Sequence, residues 1–335
     1  MKSPLLVHAD KMATAPQVPV AIVGAGACGM TAALRLRDAG IDCVLLEQDA
    51  SPSGSTALSS GFIPAAATRA QRDEGIEDTV EGFAQDIQAK AHGEAAPHLV
   101  NAYAKAVGEA IDALSSKHGI PFEVLDGFLY PGHRVRRMHA VPEHTGSALM
   151  ARLERAVIAA GADILTEAAV RELWVSPTKQ LLGVGYRRPD GRIEYLACDH
   201  LLLACNGFGG NPAMVAELLP TMREAIYAGH TGNDGSAIRW GRELGAGLAD
   251  LGGYQGHGSW ATPQGALMSW AVIMQGGVQI NTKGERFHDE SQGYSEAAVH
   301  VLAQPGGIAW NVFDTPLLEM ARGFADFVDA ERAGA

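Results

Sequence analysis

The spacing of apolar residues changes along the chain, and each change predicts where a strand or helix begins or ends. Residues 19–23 and Cys43–Leu46 are short continuous apolar runs, which are typical of buried strands. Between them, residues 30–39 place apolar residues among small and charged ones, as a helix does, and Gly40 ends that stretch. Strand, helix and strand in this order predict a βαβ unit.

Longer helical patterns and short strands follow up to about residue 250. After a small, polar loop at residues 51–67, helical spacing recurs in residues 77–91, 97–117 and 145–160. Strands are predicted at residues 164–165, 170–175, 182–187 and 201–204, with a turn at 189–191. A last helix opens after residues 233–235 and ends near Gly245. This alternation predicts an α/β class.

The composition changes at about Tyr254, after which Gly, Trp and Met become frequent. We therefore predict one domain over residues 17–254 and the start of a second, of α+β class, over residues 255–335. Residues 1–16 are predicted to form a disordered leader. The clearest element predicted in the second domain is a hairpin, with strands at 278–281 and 286–288 around the turn 282–284.

The net charge argues against nucleic acid as a partner, and the cysteine spacing argues against redox and haem motifs. Asp and Glu outnumber Lys and Arg by 38 to 26, a net charge of −12, whereas a nucleic-acid-binding face is normally basic. The basic run at residues 133–137 is interpreted as a solvated loop. The four cysteines form no CxxC pair and no CxxCH haem signature, and no metal site is predicted.

The start of the chain shows no targeting signal. Lys2, His8, Asp10 and Lys11 surround a very short apolar patch, which argues against a signal peptide. No apolar run approaches the ~20 residues that a membrane span needs. We therefore expect a cytoplasmic protein without a membrane span.

The sequence Gly24-x-Gly26-x-x-Gly29 stands between the first predicted strand and helix, which is the context of a dinucleotide-binding motif. Gly24 permits a tight turn, Gly26 lets backbone N–H groups reach a pyrophosphate, and Gly29 lets the helix pack close to the strand. The helix N-terminus contributes about half a positive charge toward the phosphates. Glu47, at the end of the second strand, is expected to bind the ribose hydroxyls. A Rossmann-like domain is therefore predicted, although the motif alone does not separate FAD from NAD.

The segment after Glu47 resembles the flavin-side loop of the fumarate reductase and succinate dehydrogenase flavoprotein family. Residues 53–66 read SGSTALSSGFIPAA. Further matches follow in the family's order: Thr145-Gly146, ACNG at 204–207, GNDG at 232–235, YQGH at 254–257 and NTKGERFHDE at 281–290. The resemblance extends to 3-ketosteroid dehydrogenases and tricarballylate dehydrogenase. It implies a Rossmann-like FAD-binding domain followed by an α+β cap domain that binds substrate.

The resemblance implies FAD as the cofactor. Relatives that attach FAD covalently carry a His where this chain has Thr56, so non-covalent FAD is expected. Val170 is expected to hold the adenine through its backbone, and Asp234 to lie near the ribityl chain. For Asn206 and Asp234 a second interpretation stays open, since Asn206 could shape a turn and Asp234 could cap a helix. The predicted cofactor-binding residues are Gly24, Gly26, Ala27, Cys28, Gly29, Glu47, Gln48, Gly54, Ser55, Thr56, Ser59, Ser60, Gly61, Val170, Ala204, Cys205, Asn206, Gly207 and Asp234.

The cap region departs from the fumarate reductases that it resembles. Their proton relay uses a Glu and an Arg in a strand-like segment, and the aligned residues here are Trp270 and Ile273, which carry no proton to relay. Tyr294 stands at the place of the family's central catalytic Arg. Fumarate reduction is therefore not expected.

His257 and Tyr294 are the predicted catalytic residues. His257 matches a substrate-carboxylate His of the fumarate reductases, and 3-ketosteroid dehydrogenases use a Tyr as acid or base opposite the flavin. For both residues an ordinary structural role is the alternative.

The resemblance also implies a C-terminal segment that closes the FAD domain, and the residues up to Ala335 do not contain it. A fragment, or an unusual completion of the domain, is expected. The predicted function is oxidoreduction of a CH–CH or C=C bond next to a carbonyl or carboxylate of a small-molecule substrate. The reaction direction and the electron donor or acceptor stay open. The alternatives are an FAD-binding protein without turnover and an NAD-dependent dehydrogenase, which the flavin-side loop disfavours.

Overall fold

The computed structural model describes residues 5–12, 14–126 and 129–335, which form two compact units. Unit 1 comprises the chain up to Met214 together with Tyr227–Asp250. Unit 2 comprises Val215–Ile226 together with Leu251–Ala335. The sequence predicts a single boundary at residue 254, and the earlier passage of Val215–Ile226 into unit 2 was not part of that prediction.

Unit 1 combines strands and helices in alternation. Its described strands are β1 (Leu5–His8), β2 (Gln17–Val23), β3 (Cys43–Leu46), β4 (Ile63–Pro64), β5 (Glu123–Val124), β6 (Met138–Ala140), β7 (Asp163–Leu165), β8 (Ala169–Val175), β9 (Leu181–Arg187) and β10 (Ile193–Leu203). Its described helices are α1 (Ala27–Asp38), α2 (Gly54–Ala57), α3 (Arg69–Asp73), α4 (Val80–Lys90), α5 (Pro97–His118) and α6 (Gly146–Ala159), then α7 (Pro212–Leu218), which runs into unit 2, and α8 (Ser236–Leu244).

The main sheet of unit 1 has the strand order β1-β8-β9-β10-β2-β3-β7. β10, β2, β3 and β7 run parallel to one another. β9 lies between β8 and β10 and is antiparallel to both. In the pairing of β2 with β3, Val23 lies opposite Leu46, so both strands end at the same edge. In open α/β sheets, ligands bind at this carboxyl edge. The predicted α/β class with a Rossmann-like sheet is confirmed.

The central strands are buried on both faces. Ile22 packs in the core formed with α1 and α6, together with Leu34 and Leu153. Ala21, the preceding residue, lies in a separate core that contains Trp240 of α8. Strands covered on both faces have continuous apolar sequences, which is why the pattern predicted β3 with its observed bounds.

The basic run at residues 133–137 is neutralised within unit 1, which corrects its interpretation as a solvated loop. Arg137 is fully buried and its Nε lies 2.6 Å from the carboxylate of Asp78. Arg134 pairs with Asp86 at 2.7 Å. Burial alone would raise the pKa of Asp86, but hydrogen bonds from Arg137 and Arg134 hold it below its ordinary value. The run is therefore part of the folded structure.

Unit 2 is built from shorter elements. The strands described in it are β11 (Trp260–Ala261), β12 (Ala266–Leu267), β13 (Val278–Ile280) and β14 (Trp310–Val312). Its helices, as far as described, are α9 (Ala271–Met274), α10 (Tyr294–Leu302), α11 (Thr315–Ala321) and α12 (Ala325–Arg332), with 3₁₀ helices at Pro220–Met222, Glu290–Gln292 and Pro305–Gly307. Within the described part of the chain, no helix is both long and apolar enough to cross a membrane.

The prediction of a disordered leader over residues 1–16 is wrong for Leu5–His8. These residues form β1, which runs parallel to β8 with Leu5 opposite Glu172 and His8 opposite Val175. The partner strand is distant in sequence, so the local pattern of residues 5–8 could not reveal the pairing.

The predicted hairpin between residues 278–281 and 286–288 is also wrong. Its turn is present, because the side-chain oxygen of Asn281 accepts backbone hydrogen bonds within it. However, the backbone N–H of Gln279 donates to Oε1 of Glu290 at 3.0 Å. A carboxylate thus takes the hydrogen bond that the expected strand would have taken, and β13 pairs with β14 instead.

Candidate functional site

The glycine-rich loop connects β2 to α1 and depends on two close backbone contacts. Gly24 has φ +103°, and a Cβ at this position would lie 2.6 Å from the carbonyl oxygen of Ala204. A Cβ at Gly29 would lie 2.0 Å from the carbonyl oxygen of Gly24. Both distances are shorter than real Cβ contacts, so the loop can close only with glycine at these two positions.

Gly26 is different, because a Cβ added to it would point into open space. Its φ of −75° and ψ of −176° suit any residue. Among the described residues outside its chain neighbours, Thr56 Oγ1 at 3.7 Å is the nearest atom to a Cβ built there. Neither strain nor packing requires glycine here, whereas a ligand that approaches the backbone would require it.

Glu47 lies at the carboxyl end of β3, beside this loop, and is 7 % exposed. Its Oε2 accepts a hydrogen bond from the backbone N–H of Ala25 at 3.0 Å, and its Oε1 accepts one from Asp49 at 3.1 Å. Each carboxylate oxygen keeps a second acceptor position. The sugar-binding role predicted for Glu47 is therefore compatible with its geometry.

The flavin-side loop is fastened both to the phosphate loop and to α6. The backbone N–H of Ala27 donates to Thr56 Oγ1 at 3.3 Å. The N–H of Gly146 donates to the carbonyl oxygen of Ser59 at 2.7 Å, and a Cβ at Gly146 would lie 1.8 Å from the carbonyl oxygen of Thr56. Ser59 Oγ donates to Thr56 O at 2.7 Å and accepts from Gly61 at 3.0 Å. The Ser59 hydroxyl therefore holds the loop together.

Asp234 and Asn206 are both engaged by the protein. The Asp234 carboxylate accepts from the backbone N–H of Ser236 at 2.9 Å and pairs with Arg171 at 3.5 Å and Arg239 at 3.6 Å. Asn206 has φ +65°, and its side-chain oxygen accepts from the next backbone N–H at 2.9 Å. These contacts support the turn for Asn206. The N-cap of α8 is Gly235 and not Asp234, so Asp234 lies one residue before the cap and accepts the first N–H of the helix.

Other predicted cofactor residues differ in their surroundings. Cys28 is exposed on α1, and Val170 is buried in β8. Burial raises the pKa of Cys205, just after β10, to about 11, so this thiol stays protonated at neutral pH. Gln48 contacts Gly232, where a Cβ would lie 1.9 Å from the Gln48 amide nitrogen.

Two residues of unit 1 that the sequence did not single out also reach the flavin-side loop, and a third contacts one of them. The side chain of Asn233 and the backbone N–H of His230 both donate to Ser55 Oγ, and Tyr227 contacts Asn233. The GNDG match pointed to this segment, but the resemblance implied a cofactor contact for Asp234 and not for Asn233.

Unit 2 brings the two predicted catalytic residues together. The rings of His257 and Tyr294 stack with centroids 5.1 Å apart and planes at 24°. Trp270 meets His257 edge-on at 6.0 Å. Gln255 Nε2 donates to the Tyr294 hydroxyl oxygen at 3.1 Å, and the backbone N–H of Ser259 donates to His257 Nδ1 at 3.1 Å.

The burial and hydrogen bonding of His257 determine its protonation state and tautomer. Burial lowers its pKa to about 4, so the imidazole is neutral at neutral pH. Since Nδ1 accepts the hydrogen bond from Ser259, the ring proton resides on Nε2. His257 is therefore a neutral hydrogen-bond donor through Nε2.

Trp270 and Ile273 are core residues of unit 2. They are 6 % and 4 % exposed and pack with Val272, Ala297 and Phe327. Ile273 belongs to helix α9, which begins directly after Trp270. No group of three or more His, Cys, Asp or Glu side chains is placed to hold a metal ion in the described ranges.

The profile of the FAD binding domain family matches residues 19–327. The chain belongs to this family. Its cofactor is FAD, as the sequence predicted, and the residues present fit it: Gly26 leaves the loop backbone open, and Glu47 is fixed beside it. When bound, FAD accepts or delivers a hydride.

Two similar proteins with assigned activities are longer than this chain. NADH:fumarate oxidoreductase of Klebsiella pneumoniae (strain 342) is 28% identical over 297 residues, which is 88% of this chain and 32% of that protein. Urocanate reductase of Eggerthella lenta is 28% identical over 302 residues, or 89% of this chain and 50% of that protein. The chain thus spans about a third to a half of the length of these relatives.

Solved structures show the same fold. The open conformation of a flavocytochrome c3 fumarate reductase matches with a TM-score of 0.81 and 26% identity, over 93% of this chain and 56% of that one. A 3-ketosteroid-Δ4-(5α)-dehydrogenase from Rhodococcus jostii RHA1 matches with a TM-score of 0.78 and 21% identity, over 98% and 72%. The resemblance inferred from the sequence motifs is confirmed.

Proposed function

We propose that this FAD-binding chain acts as an oxidoreductase that adds hydrogen to, or removes it from, a carbon–carbon bond next to a carbonyl or carboxylate. The family supports flavin redox chemistry. Relatives named for fumarate and urocanate reduction support an activated C=C bond as the reacting group. The observation that carries the proposal is the stacked pair of His257 and Tyr294.

Tyr294 is proposed to transfer the proton. Its hydroxyl can donate a proton to the substrate carbon during reduction or take one during dehydrogenation. The N–H of Gln255, 3.1 Å from the hydroxyl oxygen, favours the negative charge that remains on that oxygen after donation. General acid–base groups of this kind need both a proton and a partner that stabilises the charged form.

His257 is proposed to bind and polarise a substrate oxygen. Because it is neutral and carries its proton on Nε2, it donates a hydrogen bond without delivering a full positive charge. A carbonyl or carboxylate oxygen accepts such a bond, which withdraws electron density from the adjacent C=C bond. This role differs from that of Tyr294, since His257 keeps its proton throughout.

Fumarate itself is proposed not to be the substrate, even though several relatives are named for it. A relay at the aligned positions would need proton-carrying side chains, and Trp270 and Ile273 are instead packed in an apolar core. Tyr294 also lacks the permanent positive charge that an Arg at its place would offer to a dicarboxylate. We therefore favour a substrate with a single activating oxygen group.

The test is reoxidation of the FAD-loaded, chemically reduced protein by fumarate, urocanate, acrylate and cyclic enones under anaerobic conditions. Return of the flavin absorbance with an enone or monocarboxylate, together with the saturated product, is the expected result. Rapid reoxidation by fumarate would overturn the choice of substrate class. Reoxidation by none of the compounds, or by oxygen alone, would favour an FAD-binding protein without turnover on such substrates.

A further inference from the structure

We propose that Asn233 is a positioning residue for FAD: it orients the hydroxyl of Ser55 so that its hydrogen points toward the cofactor. The inference rests on contact between Ser55 and FAD, which the loop sequence predicts, and it does not depend on the proposed reaction. Asn233 is 7 % exposed, and its side-chain amide donates to Ser55 Oγ, which is the group through which it would act on FAD.

Two donors fill the acceptor positions of Ser55. Asn233 Nδ2 lies 2.9 Å from Ser55 Oγ, and the backbone N–H of His230 lies 3.3 Å from the same oxygen. A serine hydroxyl has two acceptor positions and one hydrogen to donate. With both acceptor positions taken, that hydrogen remains, and no acceptor for it is found among the residues that the structure describes.

The location of Ser55 indicates which acceptor the hydrogen serves. The next residue, Thr56, accepts a hydrogen bond from the backbone N–H of Ala27 in the first turn of α1. Ser55 is therefore adjacent to the phosphate loop. The FAD pyrophosphate and flavin carbonyl groups are acceptors without hydrogens of their own, so a hydroxyl whose only remaining capacity is donation suits them.

Tyr227 keeps Asn233 in this orientation. Asn233 Nδ2 also donates to the Tyr227 hydroxyl oxygen at 2.6 Å, so both amide hydrogens are used. The Tyr227 ring packs closely against two glycines: a Cβ at Gly209 would lie 2.3 Å from the ring, and one at Gly229 would lie 2.4 Å from its hydroxyl oxygen. These contacts restrict the hydroxyl end of the ring, although the side chain as a whole is 41 % exposed.

His230 supports the same arrangement from the backbone. Its Nδ1 accepts from the N–H of Gly232 at 3.1 Å, so the ring proton lies on Nε2, which faces the Asp49 carboxylate at 2.8 Å. Asp49 in turn donates its backbone N–H to Glu47. The segment that orients Ser55 is thus connected to the residue predicted to bind the ribose.

The test is Asn233→Asp, which keeps the shape of the side chain but replaces two N–H donors with acceptors. The Ser55 hydrogen should then turn toward the new carboxylate and away from FAD. We expect FAD affinity, measured by quenching of flavin fluorescence in the apoprotein, to fall roughly ten- to hundredfold. Asn101→Asp, at an exposed position of α5, is the control for added charge and should bind FAD as the wild type does.

Comparison with Ser55→Ala separates positioning from the charge placed near the phosphates. If Asn233 acts through Ser55, Asn233→Asp should cost clearly less affinity in the Ser55→Ala background than in the wild type. An equal loss in both backgrounds would overturn the inference, as would unchanged affinity in Ser55→Ala alone. Tyr227→Phe, which keeps the ring, should weaken FAD several-fold, and it provides the same comparison should Asn233→Asp fail to fold. Because the measurement is affinity, a failure of the proposed reaction would not affect it.

Discussion

Gly26→Ala should separate cofactor binding from folding more cleanly than any other substitution in the phosphate loop. The backbone at Gly26 is ordinary, and the methyl group would meet no described atom closer than Thr56 Oγ1 at 3.7 Å. Gly26 is the residue that caps α1, where Ala is less favourable than Gly by about 0.5–1 kcal/mol. The reduced freedom of the unfolded chain offsets this by about 0.4–1 kcal/mol. The free energy of unfolding of the apoprotein should therefore change by less than about 1 kcal/mol.

FAD affinity should respond very differently to the same methyl group. It would occupy the space through which a pyrophosphate approaches the backbone N–H groups. A hydrogen bond to a charged group contributes about 1.5–3 kcal/mol, so the loss of even one lowers the affinity roughly 10- to 150-fold. Titration of the apoprotein with FAD and urea unfolding of the same sample measure the two quantities.

Two matched variants make the result decisive. Gly29→Ala places a methyl 2.0 Å from a backbone oxygen and should destabilise the apoprotein by about 1–3 kcal/mol or more. At Gly247 no described atom lies within 4 Å of the added Cβ, so Gly247→Ala should leave FAD affinity unchanged and change the free energy of unfolding by no more than about 1 kcal/mol. Wild-type FAD affinity in Gly26→Ala, or a loss of apoprotein stability equal to that of Gly29→Ala, would refute the reasoning.

Further outcomes follow from the same geometry. Tyr294→Phe should slow single-turnover flavin oxidation by a reactive enone or enoate about 100- to 10,000-fold with FAD still bound. The control Tyr254→Phe should keep the wild-type rate. An unchanged rate in Tyr294→Phe would mean that Tyr294 only packs. Burial lowers the pKa of His257 to about 4 from 6.5. The contribution of the neutral His257 side chain to the stability of the folded protein is therefore complete above pH 6.5 and is lost as the pH falls toward 4. His257→Gln should remove up to about 3 kcal/mol of that pH dependence in urea unfolding, and parallel curves for both proteins would contradict this. Acid precipitation should release FAD into the supernatant because Thr56 replaces the attachment His, and flavin that stays in the pellet would indicate a covalent bond.

The parts of unit 1 that the sequence predicted well are those in which local pattern and tertiary contact agree. Cys43–Leu46 is apolar because it is buried on both faces, and Thr145 begins α6 because its hydroxyl accepts the N–H of Ala148. Gly24 and Gly29 in the loop are constrained by contacts with neighbouring backbone. In these regions the sequence carries the information that the fold uses.

The failures arise where a distant residue decides the outcome. β1 forms because β8 offers an edge, and β13 turns to β14 because Glu290 takes the backbone N–H of Gln279. Asn233 was missed for a related reason, since its proposed positioning role depends on a contact with Ser55, which is far away in the sequence. Neither a spacing nor a propensity encodes such pairings.

The discontinuity of unit 2 along the chain has a practical consequence for dissecting the protein. The polypeptide passes from one unit to the other at residues 214/215, 226/227 and 250/251, so no single truncation separates them. A protein that ended at Asp250 would retain Pro220–Met222 without α10, the helix on which this 3₁₀ helix packs. An excised unit 1 would need an internal deletion joining Met214 to Tyr227 in addition to the truncation. The new connection would also have to keep the Tyr227 ring packed against Gly209 and Gly229.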